Sequence, residues 1–320
     1  MNSVMNGTKN FLVKLLFVSL LFQSSLQAVT LVYNLRIRRA FNISGLPEQT
    51  RTRWPLSVVP IFYARNSHGL IDIQNNTTVD EKRRVGGALF NARCVPNKHW
   101  FVEATTGLET DHGSFKGKHG FEASRTGLDD LVLSGGYRYF AGKHGQLVAY
   151  GVAGFPLRRK IDQHDLFTPL VGTRVYTLGV GGEASYSMVS EDHYSCDAIF
   201  QGRFLHSFNR SWAPILPEGS KIQPGNVSDL FFILQMRYKL TVVEIGYDVT
   251  FFTNQAIILP KETIHSNTQV RHSGVATISH GWLKTPIGKP CILSFGISAS
   301  HSKAFDANSI SAWLTGTIVF

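Results

Sequence analysis

Arg237, Lys239, Glu244 and Asp248 are the densest set of charges that strand alternation can gather on one face. Successive side chains of a strand point to opposite sides. Asp229, Phe231, Ile233, Gln235, Arg237 and Lys239 therefore share one side of an extended segment. Glu244, Gly246, Asp248 and Thr250 share one side of the next, across a tight reversal near Leu240-Thr241. The same reading puts Arg138 and Glu183 on polar faces of their own segments. Charges so placed pair across the ladder and fix shape, or line a water-filled path as a selectivity filter does. Both roles stay open at this stage.

Hydrolytic chemistry has one candidate set: His193, Ser195, His206, Ser207 and Asn209. A Ser-His pair with an orienting Asn would suit acyl transfer. Adjacent strand residues face opposite ways, however, so His206 and Ser207 do not share a site. The expectation is a protein without catalytic residues. No His-x-x-x-His spacing suggests a metal, and Gly179-x-Gly181-Gly182 has no helix after it to cradle a phosphate. No cofactor is expected. Cys94, Cys196 and Cys291 are too few and too scattered for a disulfide framework and read as small strand residues.

The elements that must carry these residues are short and alternating. From Arg53 onward, twelve such segments appear: 53–65, 83–94, 98–109, 128–141, 145–156, 172–189, 194–209, 228–240, 241–253, 269–284, 290–303 and 309–320. Each is near or above the 9–11 residues that span a bilayer as a tilted strand. Long connections follow the odd segments (66–82, 110–127, 157–171, 210–227, 254–268) and short ones the even segments; only 304–308 departs from its series. Short turns on one side and long loops on the other are the rhythm of an outer-membrane barrel with an even strand count. A soluble sandwich has no reason to sort its loops by parity.

Composition agrees. Charged residues are only 17%, and hydrophobicity is spread thinly because only alternate residues would meet lipid. Aromatics gather near segment ends, at Tyr137, Tyr139, Tyr238, Trp282 and Phe320, where an interface suits them. Lys9 and Lys14 flank an apolar stretch, and small residues follow up to Ala28, so residues 1–28 read as a secretory signal peptide. Residues 29–52, basic and partly strand-like, read as a short N-terminal plug or periplasmic extension, and 53–320 as the barrel. The fold class expected is all-β: an antiparallel transmembrane β-barrel of about twelve strands.

Thr126-Gly-Leu-Asp-Asp-Leu-Val-Leu-Ser-Gly-Gly-Tyr-Arg-Tyr139, followed by Gly151-Val-Ala-Gly-Phe-Pro156, resembles a strand pair of the outer-membrane family called the MetA pathway of phenol degradation family. That family is distantly related to the long-chain fatty-acid and aromatic-hydrocarbon transporters. Phe155 and Leu157-Arg158 depart from its usual Leu before, and Thr-Gly after, the proline. The resemblance implies a barrel admitting small, often hydrophobic molecules, and it carries no ligand residue.

The expected function is therefore passive passage of small solutes through the bacterial outer membrane. Arg138, Glu183, Arg237, Lys239, Glu244 and Asp248 would line the path. A structural or adhesive barrel without a pore is the alternative, and an outer-membrane hydrolase a weaker one. The net charge of +10, with Lys116, Lys118 and Arg158-Arg-Lys160 in the long connections, suits anionic lipid headgroups and lipopolysaccharide. It lacks the basic helix or base-stacking motif of a nucleic-acid partner. The terminal strand ending in Phe320 is the expected handle for the barrel-assembly machinery.

Overall fold

The computed structural model describes residues 56–72, 78–97, 99–116, 121–142, 144–157, 175–191, 193–211, 219–253, 256–265, 268–283, 285–286, 288–302 and 307–319. The proposed leader, the 29–52 segment and Phe320 lie outside them. The elements are all strands: β1 (Leu56–Asp72), β2 (Thr78–Cys94), β3 (Trp100–Lys116), β4 (Phe121–Leu128), β5 (Leu131–Ala141), β6 (Gly145–Phe155), β7 (Thr177–Ser190), β8 (Tyr194–Ser207), β9 (Arg210–Ser211), β10 (Lys221–Gln223), β11 (Asn226–Tyr238), β12 (Thr241–Thr253), β13 (Ala256–Ile258), β14 (Thr263–His265), β15 (Gln269–Trp282), β16 (Cys291–Ser302) and β17 (Ala307–Val319).

Each long strand pairs antiparallel with its neighbours in the order β2-β1-β17-β16-β15-β12-β11-β8-β7-β6-β5-β3, and β2 pairs with β3 to close the ring. The wall is a twelve-strand barrel, with β4 as an extra piece. β4 continues β5 beyond a break at Asp129-Asp130 and pairs only with the outer half of β3. The break is tied down by the Asp129 amide, which donates to the Gly107 carbonyl at 2.9 Å. The small strands form a separate sheet, β14-β13-β10-β9, which stitches the β8–β11 connection to the β12–β15 connection. No helix among the described residues is long and apolar enough to cross a membrane; crossing is by strands.

Two of the stretches expected as loops are largely strand. β1 and β2 run on to a short 73–77 connection, and β3 and β4 do the same around 117–120. The physical reason is cross-strand pairing: once the hairpin ladder has started, its backbone groups stay satisfied by continuing past the bilayer. The longer connections on that rim are 156–176, 208–225 and 254–268. The opposite rim has tight turns. At one of them Lys239 takes a positive φ of 52° and Gly142, at another, 71°.

Alternation divides the wall as expected. Phe62, Phe90, Leu108, Leu133, Leu147, Leu178, Phe200, Leu230, Phe232, Ile245, Ile278, Phe295 and Leu314 are all exposed, so every one of the twelve barrel strands adds to an outward apolar belt. That surface far exceeds what a water-soluble protein leaves bare. Trp100, Tyr137, Tyr139, Tyr186, Tyr194, Tyr238 and Trp282 ring the turn rim. The Trp100 and Tyr137 rings meet edge to face at 4.9 Å.

Four inward aromatics each lie over a glycine directly opposite on a neighbouring strand: Tyr63 on Gly87, Phe101 on Gly136, Tyr150 on Gly181 and Trp313 on Gly296. A Cβ on Gly136 would sit 2.7 Å from the Phe101 ring, and one on Gly87 2.8 Å from that of Tyr63. The missing side chains let the rings lie flat along the wall. Gly296→Val, which drives a side chain into the Trp313 indole, is expected to cost about 1–3 kcal/mol. Gly316→Ala, whose added Cβ would meet nothing within 4 Å, is expected to stay within about 0.5 kcal/mol. Urea unfolding in lipid vesicles measures both.

Candidate lumenal site

The inward face carries a belt of opposed charges, built mainly by the strands that are taller than the bilayer. Arg83 on β2 holds Asp111 on β3; its Nε reaches both carboxylate oxygens at 2.7 Å. Arg203 on β8 pairs with Asp229, directly opposite on β11, with Nε to Oδ2 at 2.9 Å. The same register row continues through Thr250 to Arg271, whose Nη2 donates to the Thr250 hydroxyl at 3.0 Å. Tyr63 donates to Glu109 at 2.5 Å. Arg65 on β1 faces Arg271, Arg83, Asp111 and Glu109. Asp111, Asp248 and Thr250 have no exposed surface at all, so the belt is closed around these groups.

Nearer the turn rim a second set repeats the theme. Arg93 meets Glu103 at 3.3 Å, and Ser134 donates to the same carboxylate at 3.4 Å. The Arg93 guanidinium also stands over the Phe101 ring, 5.2 Å from its centroid. Charge pairs this deep cost much to desolvate and hold only while both partners stay.

Between the charges the interior is apolar. Phe101, Val132, Tyr150, Val152, Leu205, Val227 and Phe252 form one buried inward cluster spread over β3, β5, β6, β8, β11 and β12. Val59, Ile61, Leu89 and Trp313 form another. By contrast β16 and β17 turn almost only hydroxyls inward at the level of the belt: Ser298, Ser300, Ser309 and Ser311. Glu103, Glu109, Asp111, Asp229, Glu244 and Asp248 supply inward carboxylates on other strands, while β15, β16 and β17 contain no acidic residue. The lumen is therefore amphipathic around its circumference, with a hydroxyl and arginine arc and an apolar wall.

The residues singled out in the sequence do not form one group. Glu244 is buried and accepts from Gln235 Nε2 at 2.5 Å. Asp248 is in the belt, opposite Phe231 and Ser273. Glu183 is half-buried in the row that joins Val148 to Gln201. Arg138 and Arg237 are half-buried near the turn rim, Arg237 opposite Ser195 and Val242. Lys239 is a correction: it does not face the lumen. It occupies the two-residue turn after β11, where the left-handed backbone breaks the alternation, and its exposed amine lies 5.4 Å from the Tyr238 ring centroid.

Arg65, Arg83, Glu109, Asp111, Arg203 and Arg271 complete the belt and are not among the residues the sequence singles out; Asp229 enters there only as part of the polar face of its segment. Their signal was present as alternation in Glu109-x-Asp111 and Gln201-x-Arg203, and in Arg83 two residues from Val85. It was masked where a strand was read as a loop.

The serine and histidine set is dispersed. Ser195 and Ser207 are both buried inward but near opposite ends of β8. His206 is exposed on the other face, bonded to Asn226 at 2.8 Å, and His193 is exposed in a turn. Cys94, Cys196 and Cys291 are free thiols at strand positions. Among the described residues no His, Cys, Asp and Glu group is arranged to hold a metal.

No protein-family model matches the sequence, and no curated protein matches it. Solved structures do resemble the fold. An outer-membrane channel from Pseudomonas putida F1 aligns with a TM-score of 0.59 at 12% identity, over 82% of this chain and 95% of the other. The translocator domain of the autotransporter NalP from Neisseria meningitidis aligns with a TM-score of 0.52 at 11% identity, over 94% and 99%. The transport unit of the autotransporter AIDA-I from Escherichia coli gives 0.51 at 11% identity, over 90% and 97%. At such identities the likeness is one of fold, and the fold is that of the bacterial outer-membrane β-barrels.

Proposed function

We propose that this barrel is a channel for the passive passage of small, partly apolar molecules through the outer membrane. One observation carries the reading: the interior joins a charged and hydroxylated arc to buried apolar clusters, with four inward aromatic rings laid over glycines of the neighbouring strands. A polar solute needs the first surface and an apolar one the second. Resemblance of residues 126–139 to the MetA pathway of phenol degradation family, and the P. putida channel among similar folds, support the same direction. Arg138, Glu183, Arg237, Glu244 and Asp248 line the proposed path together with the belt. Passage needs no cofactor. Anionic headgroups and lipopolysaccharide would surround the wall, and the final strand would engage the assembly machinery.

The complete burial of Asp111, Asp248, Thr250, Thr315 and Thr317 favours a second reading, a structural barrel filled by its own side chains. Under the channel reading the belt is a closed gate that rearranges. Planar-bilayer recording with purified protein decides between them. Discrete current steps, and swelling of solute-loaded liposomes, are expected. Silence in both assays, with correctly folded protein, would establish the filled barrel.

A further inference from the structure

The barrel strands turn their arginines inward, and β2 holds the exception. Arg84 and Lys82 lie two residues apart on its outward face, both exposed. Among the described side chains of the twelve barrel strands, they are the only arginine and lysine that face outward. Neither makes an ion pair or hydrogen bond with a described residue. Two like charges this close repel each other, and nothing described on the wall answers them.

Their height says what surrounds them. Arg84 is ten residues from Cys94, where β2 ends at the turn rim near the exposed Trp100 that opens β3. Ten residues of a tilted strand rise about 25 Å, the height of the apolar band on an outer-membrane barrel. Below Arg84 on the same face come Gly86, Ala88 and exposed Phe90, with exposed Phe62 and Leu108 on either side of Ala88. Arg84 is thus the first charge on β2 above the lipid belt, on the rim of the longer connections. In an outer-membrane barrel that rim meets the outer leaflet.

The neighbours leave the two cations available. Asn66 on β1 and His112 on β3 stand directly opposite Arg84, and His68 and Ser114 directly opposite Lys82. The carboxylates of this face are already engaged. Asp80, two residues beyond Lys82, is bonded to His68 at 2.7 Å, and Glu122 accepts from Ser114 at 3.3 Å. A guanidinium fork and an ammonium at the edge of an apolar surface suit an anion joined to acyl chains, and a phosphate takes both kinds of donor.

We propose that Arg84 and Lys82, flanked by Asn66 and His112, bind a phosphate of lipid A in the outer leaflet, with its acyl chains lying on Phe62, Phe90 and Leu108. The Arg84 fork takes two phosphate oxygens, and the Lys82 ammonium offsets the remaining charge. The site is on the outside of the wall and does not rest on the passage proposed above.

Native mass spectrometry of folded barrel released from detergent counts bound lipid directly. Diphosphoryl lipid A is the probe; its dephosphorylated form and phosphatidylglycerol are the comparisons. The wild type is expected to retain lipid A, and Lys82→Gln with Arg84→Gln to weaken its binding about 10-fold or more. Lys221→Gln with Lys261→Gln removes the same charge at exposed positions on the small outer sheet and the turn after β13, and is expected to change nothing. Dephosphorylated lipid A is expected to bind all three proteins weakly and equally. Heat-modifiable migration on a gel checks folding; if the β2 pair does not fold, Lys82→Gln alone carries the test, with a loss of about 5-fold. Equal lipid A binding by the wild type and the β2 variant, or an equal loss in the Lys221 and Lys261 variant, overturns the site. Phosphatidylglycerol bound as tightly as lipid A overturns the assignment to that lipid.

Discussion

Asp111→Ala is expected to destabilise the barrel by about 3–5 kcal/mol, the range found when one partner of a buried ion pair is removed. Asp111 has no exposed surface, and it is the carboxylate that Arg83 grips through two oxygens. Arg65 also faces it. Its removal leaves two guanidinia in a dry interior with Glu109 as the remaining nearby counter-charge. The double change Arg83→Met with Asp111→Leu removes charge and counter-charge together, and it is expected to recover most of the loss, because apolar isosteres avoid the desolvation cost. Urea unfolding in lipid vesicles, followed by tryptophan fluorescence, reads both. A single variant within about 1 kcal/mol of wild type would mean that water reaches this pair freely and that the belt is not closed.

The second large effect belongs to the outer face. Phe232 lies near the middle of β11, exposed and outward, directly opposite Phe200 on β8 and Tyr247 on β12. Phe232→Arg in a bilayer is expected to cost about 2–4 kcal/mol, as a charge at the midplane of a barrel's lipid face does. Asn308→Arg, on an exposed position of β17 near the long-loop rim, is expected to cost about 0–1 kcal/mol. A water-facing sheet would show no such dependence on height. Equal costs for the two variants would refute the lipid-facing assignment of this surface.

Much of this architecture is legible in the sequence, because a barrel wall repeats one simple rule. Period-two alternation separates Leu230, Phe232 and Tyr238 from Asp229, Phe231 and Gln235, and the structure keeps those sides apart. The alternation of tight turns with longer connections follows from the same rule. Three things escape it. Strand ends do, because apolar patterning stops where lipid stops while hydrogen bonding continues. Asp111 falls in a stretch read as a connection for that reason, and Arg83 lies at the very start of its segment. Partners escape as well: which arginine meets which carboxylate depends on cross-strand register, and a one-residue slip changes every pair. The sheet built from β9, β10, β13 and β14 escapes for want of length, since three-residue strands carry no period. Lys239 was misplaced by the opposite error, extending alternation one residue into a turn.

The row Gly296-Trp313-Tyr63-Gly87 crosses the place where the first and last barrel strands meet. The two rings stand side by side there and lean away from each other onto glycines behind. Of all the ladders in the molecule, this one joins the most distant stretches of chain, so its loop entropy is the largest and its formation comes late. A slip along the β1–β17 ladder takes Tyr63 out of register with Trp313, while each ring keeps its own glycine on the strand behind it.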